Sequence, residues 1–227
     1  MNRRKKRFSV VLTTSLLVIF SVFYTNFQTQ ETEVPSVATT HSPAIKALEE
    51  LAIKGRAPKT NYSREQFGNG WAGSGSCNVR DRILARDLKS VVYNPKTYAV
   101  QAGILNDPYT GKTINFQRGQ GTSATVQIDH VVALSDAWQK GAQALSYEKR
   151  HQLANDPLEL IAVDGPANQQ KSDGDAATWL PSNKAFRCQY VARQVAVKSK
   201  YALWLTLAEH DAMVNILSKC PGQKLPG

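Results

Sequence analysis

The sequence predicts an α+β domain in which helices dominate. Apolar residues recur at helical spacing in several separate segments. Short alternating runs stand at Thr113–Phe116 and Thr125–Ile128, and a compact apolar run follows at Leu158–Val163. No stretch repeats along the chain, so one packed domain is expected rather than an array.

In chain order, Arg3, Arg4, Lys5, Lys6 and Arg7 precede a segment from Phe8 to Gln30 without charge, mostly apolar as far as Tyr24. Residues 1–30 read either as a signal peptide or as a signal-anchor whose residues 8–24 stay in the membrane. Either reading exports the domain, so an extracytoplasmic place is expected, secreted or anchored to the outer face of the cytoplasmic membrane. Residues 31–41, rich in Thr, Ser and Glu, form a flexible spacer. The domain is expected over 42–221, with 222–227 as a tail. The formal charge is +10, and half of it lies in residues 3–7. The remaining +5 is compatible with a polyanionic partner and is no more than an ordinary domain can carry.

Ser42-Pro43 is an N-cap followed by proline at the first helical position. Ile45, Leu48, Leu51 and Ala52 make the stripe of that helix, and Gly55 ends it. A Gly/Ser loop over Asn69–Ser76 precedes a helix over Asn78–Lys89. Its Val79, Ile83, Leu84 and Leu88 alternate with Arg80, Arg82 and Arg86, either a phosphate-binding face or a solvated one. Asp107–Gly111 has turn composition. A helix is expected over Ser135–Leu145 with Trp138 inward, a turn at Asn155-Asp156-Pro157, a strand over Leu158–Val163, and a helix opening at Pro166–Lys171. A longer helix is expected over Ser182–Leu203, with Phe186, Tyr190, Val191, Val195 and Tyr201 inward. Thr206–Glu209 is a capping box for a last helix ending near Cys220. Ser172-Asp173-Gly174-Asp175 suggests calcium, but its spacing does not match an EF-hand, and it reads as a loop.

Chemistry concentrates between residues 128 and 171. Asp129-His130 closes one apolar run, Asn155 and Glu159 flank the start of the next, and Asn168 follows it. Asp129 and Asn168 offer oxygen donors to one hard ion, and His130 offers a base that titrates near neutrality. Strand alternation puts Asp129 and His130 on opposite faces, so both serve one site only if the strand ends or bulges there. Glu159 or Asn155 could orient the His130 imidazole. His151 is an alternative base.

These residues resemble the HNH, or ββα-metal, endonuclease family in its Asp-His…Asn form, and the chain is similar to an exported bacterial subfamily of it. The similarity runs through Tyr62–Gly68, Cys77–Leu88, Asp107–Ile114, Gln127–Trp179 and Ser182–Cys220. The resemblance implies a mostly helical domain around a ββα-metal motif, with His130 as general base and Asp129 and Asn168 as metal ligands. Glu159 stands where the family usually has its middle Asn, and Asn155 is the right residue type at another position. Asn168 at the third position favours Mg²⁺ over Zn²⁺, with Mn²⁺ as a further candidate. Lys171, one turn beyond Asn168, would contact a phosphate or the leaving group, and Arg80 and Arg82 would add backbone contacts. Cys77, Cys188 and Cys220 are an odd set without a C-x-x-C pair. The resemblance leaves Cys77 without a partner, since Tyr98 replaces a second cysteine, and leaves a Cys188–Cys220 bridge.

The expected activity is metal-dependent hydrolysis of nucleic acid, DNA first, with low sequence specificity because no base-reading module is evident. A non-catalytic nucleic-acid-binding or envelope-binding domain of the same fold is the rival. A different metal hydrolase, acting on another phosphoester or a cell-wall polymer, is a further one. Nothing in the sequence points to a protein partner.

Overall fold

A computed structural model describes residues 42–73 and 78–226. The expected signal segment, spacer and Cys77 lie outside them. No helix among the described residues is long and apolar enough to cross a membrane.

The elements are α1 (Pro43–Glu49), α2 (Val79–Asp87), β1 (Lys89–Tyr93), β2 (Val100–Asn106), β3 (Thr113–Gln117), β4 (Val126–His130), α3 (Leu134–Gln139), α4 (Tyr147–Asn155), β5 (Leu160–Asp164), α5 (Gly165–Lys171), α6 (Arg187–Lys200) and α7 (Leu207–Leu217). β1, β2 and β3 form an antiparallel meander, and β4 pairs antiparallel with β5. The mixture is α+β, as expected.

The β4–β5 hairpin separates two apolar cores. Val126, Ile128, Leu160 and Ala162 join α2, β2 and β3 on one side. Ile161 and Val163 face the helical core built on Trp138, Tyr190, Val195 and Met213. Period-2 alternation thus makes both strand faces buried, which is why Leu160–Val163 carries no polar residue.

Several boundaries moved for local reasons. The Ser135–Leu145 helix stops at Gln139, because Gly141 takes φ +122° and the ring of Trp204 lies 3.2 Å from where a Cβ would stand. A single 3₁₀ turn follows over Ala142–Ala144. The long helix begins at Arg187, not Ser182, because Ser182 and Asn183 bond to the carbonyls of Tyr109 and Pro108. α4, β1 and β2 were not expected. Residues of the expected tail are held: the Ala44 amide donates to the Gln223 carbonyl at 3.0 Å, and Leu225 packs on the helical core.

β5 passes into α5 through Gly165, with Asp164 as N-cap accepting from the Ala167 amide. A Cβ on Gly165 would stand 2.0 Å from the Ala124 carbonyl oxygen, a backbone atom that cannot step aside. Gly165→Ala is expected to cost about 3 kcal/mol, the upper range for overpacking, read by chemical denaturation.

Cys188 and Cys220 form a disulfide, 32 residues apart in sequence, tying the start of α6 to the end of α7. Replacing both by Ser is expected to lower stability by about 3–4 kcal/mol, since a loop of this length is released in the unfolded chain. A urea midpoint that does not move would show that the bridge contributes nothing.

Candidate active site

β4 ends at His130, and the chain bends through Val131-Val132 into α3. This ending resolves the alternation problem. Asp129 and His130 both line one open cavity of about 380 Å³, together with Asn168, Arg64, Lys59 and Asp173.

Asp129 is buried, at 6 % exposure. Its Oδ1 accepts from Lys171 Nζ at 2.9 Å, and its Oδ2 accepts from the Tyr109 hydroxyl. Burial pushes the carboxyl above its ordinary value, against the opposing pull of the Lys171 ammonium and the Tyr109 hydroxyl. Tyr109 is in turn held well above the usual phenol range, first by burial and then by the Asp129 charge.

His130 lies between two groups. Trp71 stacks on its ring, with centroids 5.7 Å apart and planes 8° from parallel. Its Nε2 stands 2.9 Å from the Ala154 carbonyl oxygen at the end of α4. A carbonyl only accepts, so this contact puts the proton on Nε2 and leaves the Nδ1 lone pair free to accept. Burial, then the charge of Arg64, pushes the imidazole down to about 3, against the pull of the Ala154 carbonyl. This is far below the near-neutral titration expected of a base, so the ring stays neutral and, as the structure holds it, is a weak proton acceptor.

The orienting partner of His130 is therefore a backbone carbonyl, in place of Glu159 or Asn155. Glu159 Oε2 accepts from the Val132 amide at 3.1 Å while its carbonyl accepts from the Val131 amide, so it holds the bend after β4. It is wholly buried, and burial lifts its carboxyl well above the usual range. Asn155 accepts from the Ala72 amide at 2.9 Å, which anchors the loop that carries Trp71. Both residues position the site from outside it.

Lys171 turns inward. It is 2 % exposed, and besides Asp129 its Nζ donates to the His130 carbonyl at 2.8 Å. This ammonium clamps the Asp129-His130 dipeptide from α5, and Lys171 also lines a neighbouring cavity. Arg80 and Arg82 line none of the cavities described here. Arg80 is held below its ordinary value by burial and by neighbouring Arg118, while Asp81 opposes this. The cations at the cavity are Arg64, which makes no ion pair among the described residues, and Lys59, which pairs with Asp173 at 3.3 Å.

Asn168 Nδ2 donates to Gln127 Oε1 at 2.9 Å, which leaves its Oδ1 without a donor among the described residues. No group of three or more His, Cys, Asp or Glu able to hold a metal occurs among the described residues. The donor set is thus one carboxylate, each of whose oxygens keeps a lone pair beyond its hydrogen bond, and one amide oxygen. Two oxygen donors suit a hard cation that retains waters, and they are poor for Zn²⁺, which wants three or four N or S ligands.

Sequence reasoning missed Trp71, Tyr109, Arg64 and Lys59. Tyr109 lies inside a turn signature, and Arg64 inside Tyr62–Gly68, a segment with no chemical pattern of its own. The Ala154 carbonyl has no side-chain signal at all.

Residues 78–216 match the family described as GmrSD restriction endonucleases, C-terminal domain. The chain is also 34% identical over 189 residues to a protein of Arthroderma benhamiae named "Uncharacterized secreted protein", covering 82% of this chain and 87% of that one. No solved structure matches.

Proposed function

The chain belongs to the family of GmrSD restriction endonuclease C-terminal domains, a nuclease-related family, and we propose that it is an extracytoplasmic, metal-dependent endonuclease of HNH type that hydrolyses DNA with low sequence specificity. One observation carries the reading: Asp129, His130 and Asn168 line one open cavity.

The chemistry follows from these groups. A water in the cavity gives its proton to His130 Nδ1 as it attacks phosphorus. The imidazolium so formed is stabilised by its Nε2–H bond to the Ala154 carbonyl, and Trp71 keeps the ring in plane. Arg64 offers positive charge to the non-bridging oxygens. Asp129 and Asn168 would hold the ion, which supplies positive charge to the scissile phosphate and the departing alkoxide. Lys171 and Glu159 keep the Asp129-His130 corner from relaxing. Contacts of this kind address the backbone, so little sequence preference is expected. The secreted relative and the basic, then apolar, N-terminal sequence support action outside the cytoplasm.

The rival is a nucleic-acid-binding domain without turnover. It draws support from Asp129, whose two oxygens already have internal partners. Supercoiled plasmid separates the two. The purified protein is expected to nick it with Mg²⁺ or Mn²⁺ and to stop in EDTA. Salt-sensitive binding with an intact plasmid under every metal would establish the rival.

A further inference from the structure

A second cavity of about 540 Å³ adjoins the first, sharing Lys59 and Asp173 as walls. α5 separates them: Asn168 lines the first, while Gln170 and Lys171 line the second. The floor includes Trp179, whose ring packs at 4.9 Å from the Tyr109 ring and 5.8 Å from the Tyr190 ring. Those contacts fix the indole, and its remaining surface is half-buried at the cavity.

The charges of this second cavity are internally satisfied. Arg56 pairs with Asp136 and Asp175, Lys171 with Asp129, and Lys59 with Asp173. Such a cavity has no surplus cation for a phosphate. It does hold one spare donor and one spare acceptor. Trp179 Nε1 lies 3.5 Å from Gln170 Oε1, and an N–H only donates, so the Gln170 amide nitrogen has no acceptor among the described residues. Gln139 Nε2 donates to the Ser135 carbonyl at 3.1 Å, which leaves Gln139 Oε1 without a donor among the described residues. A fixed aromatic ring beside a free amide donor and a free amide acceptor matches a planar, neutral ring with hydrogen-bonding edges.

We propose that this second cavity is a nucleobase subsite, which takes one unpaired base of the strand whose phosphate sits beside His130. The proposal rests on the nuclease reading above for its register. It implies that single-stranded or locally opened DNA is the better substrate, since a paired base cannot enter the cavity.

The test uses the full chain and a single-stranded oligonucleotide of fixed sequence. One abasic nucleotide is moved stepwise along it, and cleavage is followed with Mg²⁺. At one position relative to the cut, the abasic substitution is expected to raise KM about tenfold with kcat little changed. Trp179→Leu is expected to raise KM by a similar factor on the intact oligonucleotide, and then to be insensitive to the abasic position. Gln170→Ala, on an exposed residue whose Oε1 accepts from the indole N–H, repeats the experiment with the Trp179 ring kept and is expected to change which base is preferred there. Anisotropy with the same oligonucleotides in EDTA reads the position-specific loss without turnover, so it stands even if no cleavage occurs. The subsite is overturned if no abasic position affects KM or binding, or if the Trp179→Leu and abasic effects simply multiply. Cleavage that persists in those cases would leave the nuclease reading intact.

Discussion

His130→Ala is expected to reduce metal-dependent nicking by at least about a hundredfold, the contribution usual for a general base. The substitution removes the acceptor for the water proton, and neither Glu159 nor Asn155 replaces it, since each bonds a backbone amide and neither lines the cavity. His151 is not a substitute either: it packs against Gly68 and Tyr147, and none of the cavities described here includes it. The truncation also leaves the Ala154 carbonyl without its donor and Trp71 without its stacking partner, so some stability is lost with the activity. Activity must therefore be compared at a temperature where circular dichroism shows both proteins folded. A folded His130→Ala protein that nicks within about tenfold of wild type would refute the assignment of the base.

The region around that base was partly legible in the sequence. Alternation in Val126–His130 and the unbroken apolar run at Leu160–Val163 are properties of strands packed on both faces, and both survive in the fold. The Ser42 and Thr206 caps were legible because a cap is a local hydrogen bond, and both side chains accept one as expected. β1 and β2 were not. β1 is a mostly exposed edge strand with Ser90 in the left-handed region, so it shows no clean alternation, and β2 carries Gly103 where Leu88 packs at 3.0 Å from the position of a Cβ. α4 has a weakly apolar face and gave no stripe. In the site, residue types marked the Asp129-His130 corner, but the hydrogen-bond partners of each group are set by tertiary contacts across 20 to 42 positions, which local spacing does not encode. Lys171 shows the limit most plainly: a lysine one turn past Asn168 has the same sequence whether it reaches outward to a phosphate or inward to Asp129.

The same limit hid a buried ionic cluster, and its disruption is the larger expected effect on stability. Lys140 is fully buried, and its Nζ lies 2.7 Å from Asp136, 2.7 Å from Asp175 and 2.6 Å from Glu209. Lys198, also fully buried, pairs with Glu209 at 2.9 Å, and Arg56 bridges Asp136 and Asp175. Glu209 thus serves only half of a capping box. Its amide bonds to Thr206, but its carboxylate points into the cluster. Asp175, in a segment that read as a loop, ties the chain just beyond α5 to α3 and α7. Lys140→Met is expected to cost about 3–5 kcal/mol, because Asp136, Asp175 and Glu209 stay buried after losing their shared cation. The pH dependence has a definite sign. Burial alone would raise Asp175, but Lys140 and Arg56 outweigh it and hold the carboxyl below its ordinary value. Its contribution is therefore present above about pH 4, the unfolded value, and is lost as pH falls through the lower folded value. Burial alone would lower Lys140, but Asp136 and Glu209 outweigh it and raise the ammonium. That contribution is present below about pH 10, the unfolded value, and fades only as pH rises through the folded one. The contribution of Lys140 and Asp175 to wild-type stability in urea unfolding should accordingly be flat across the neutral range. Lys140→Met should lie well below wild type there, and the gap should narrow towards acid as protonation relieves the stranded carboxylates. A loss under about 1 kcal/mol at neutral pH would mean that water or rearrangement satisfies those carboxylates without the lysine.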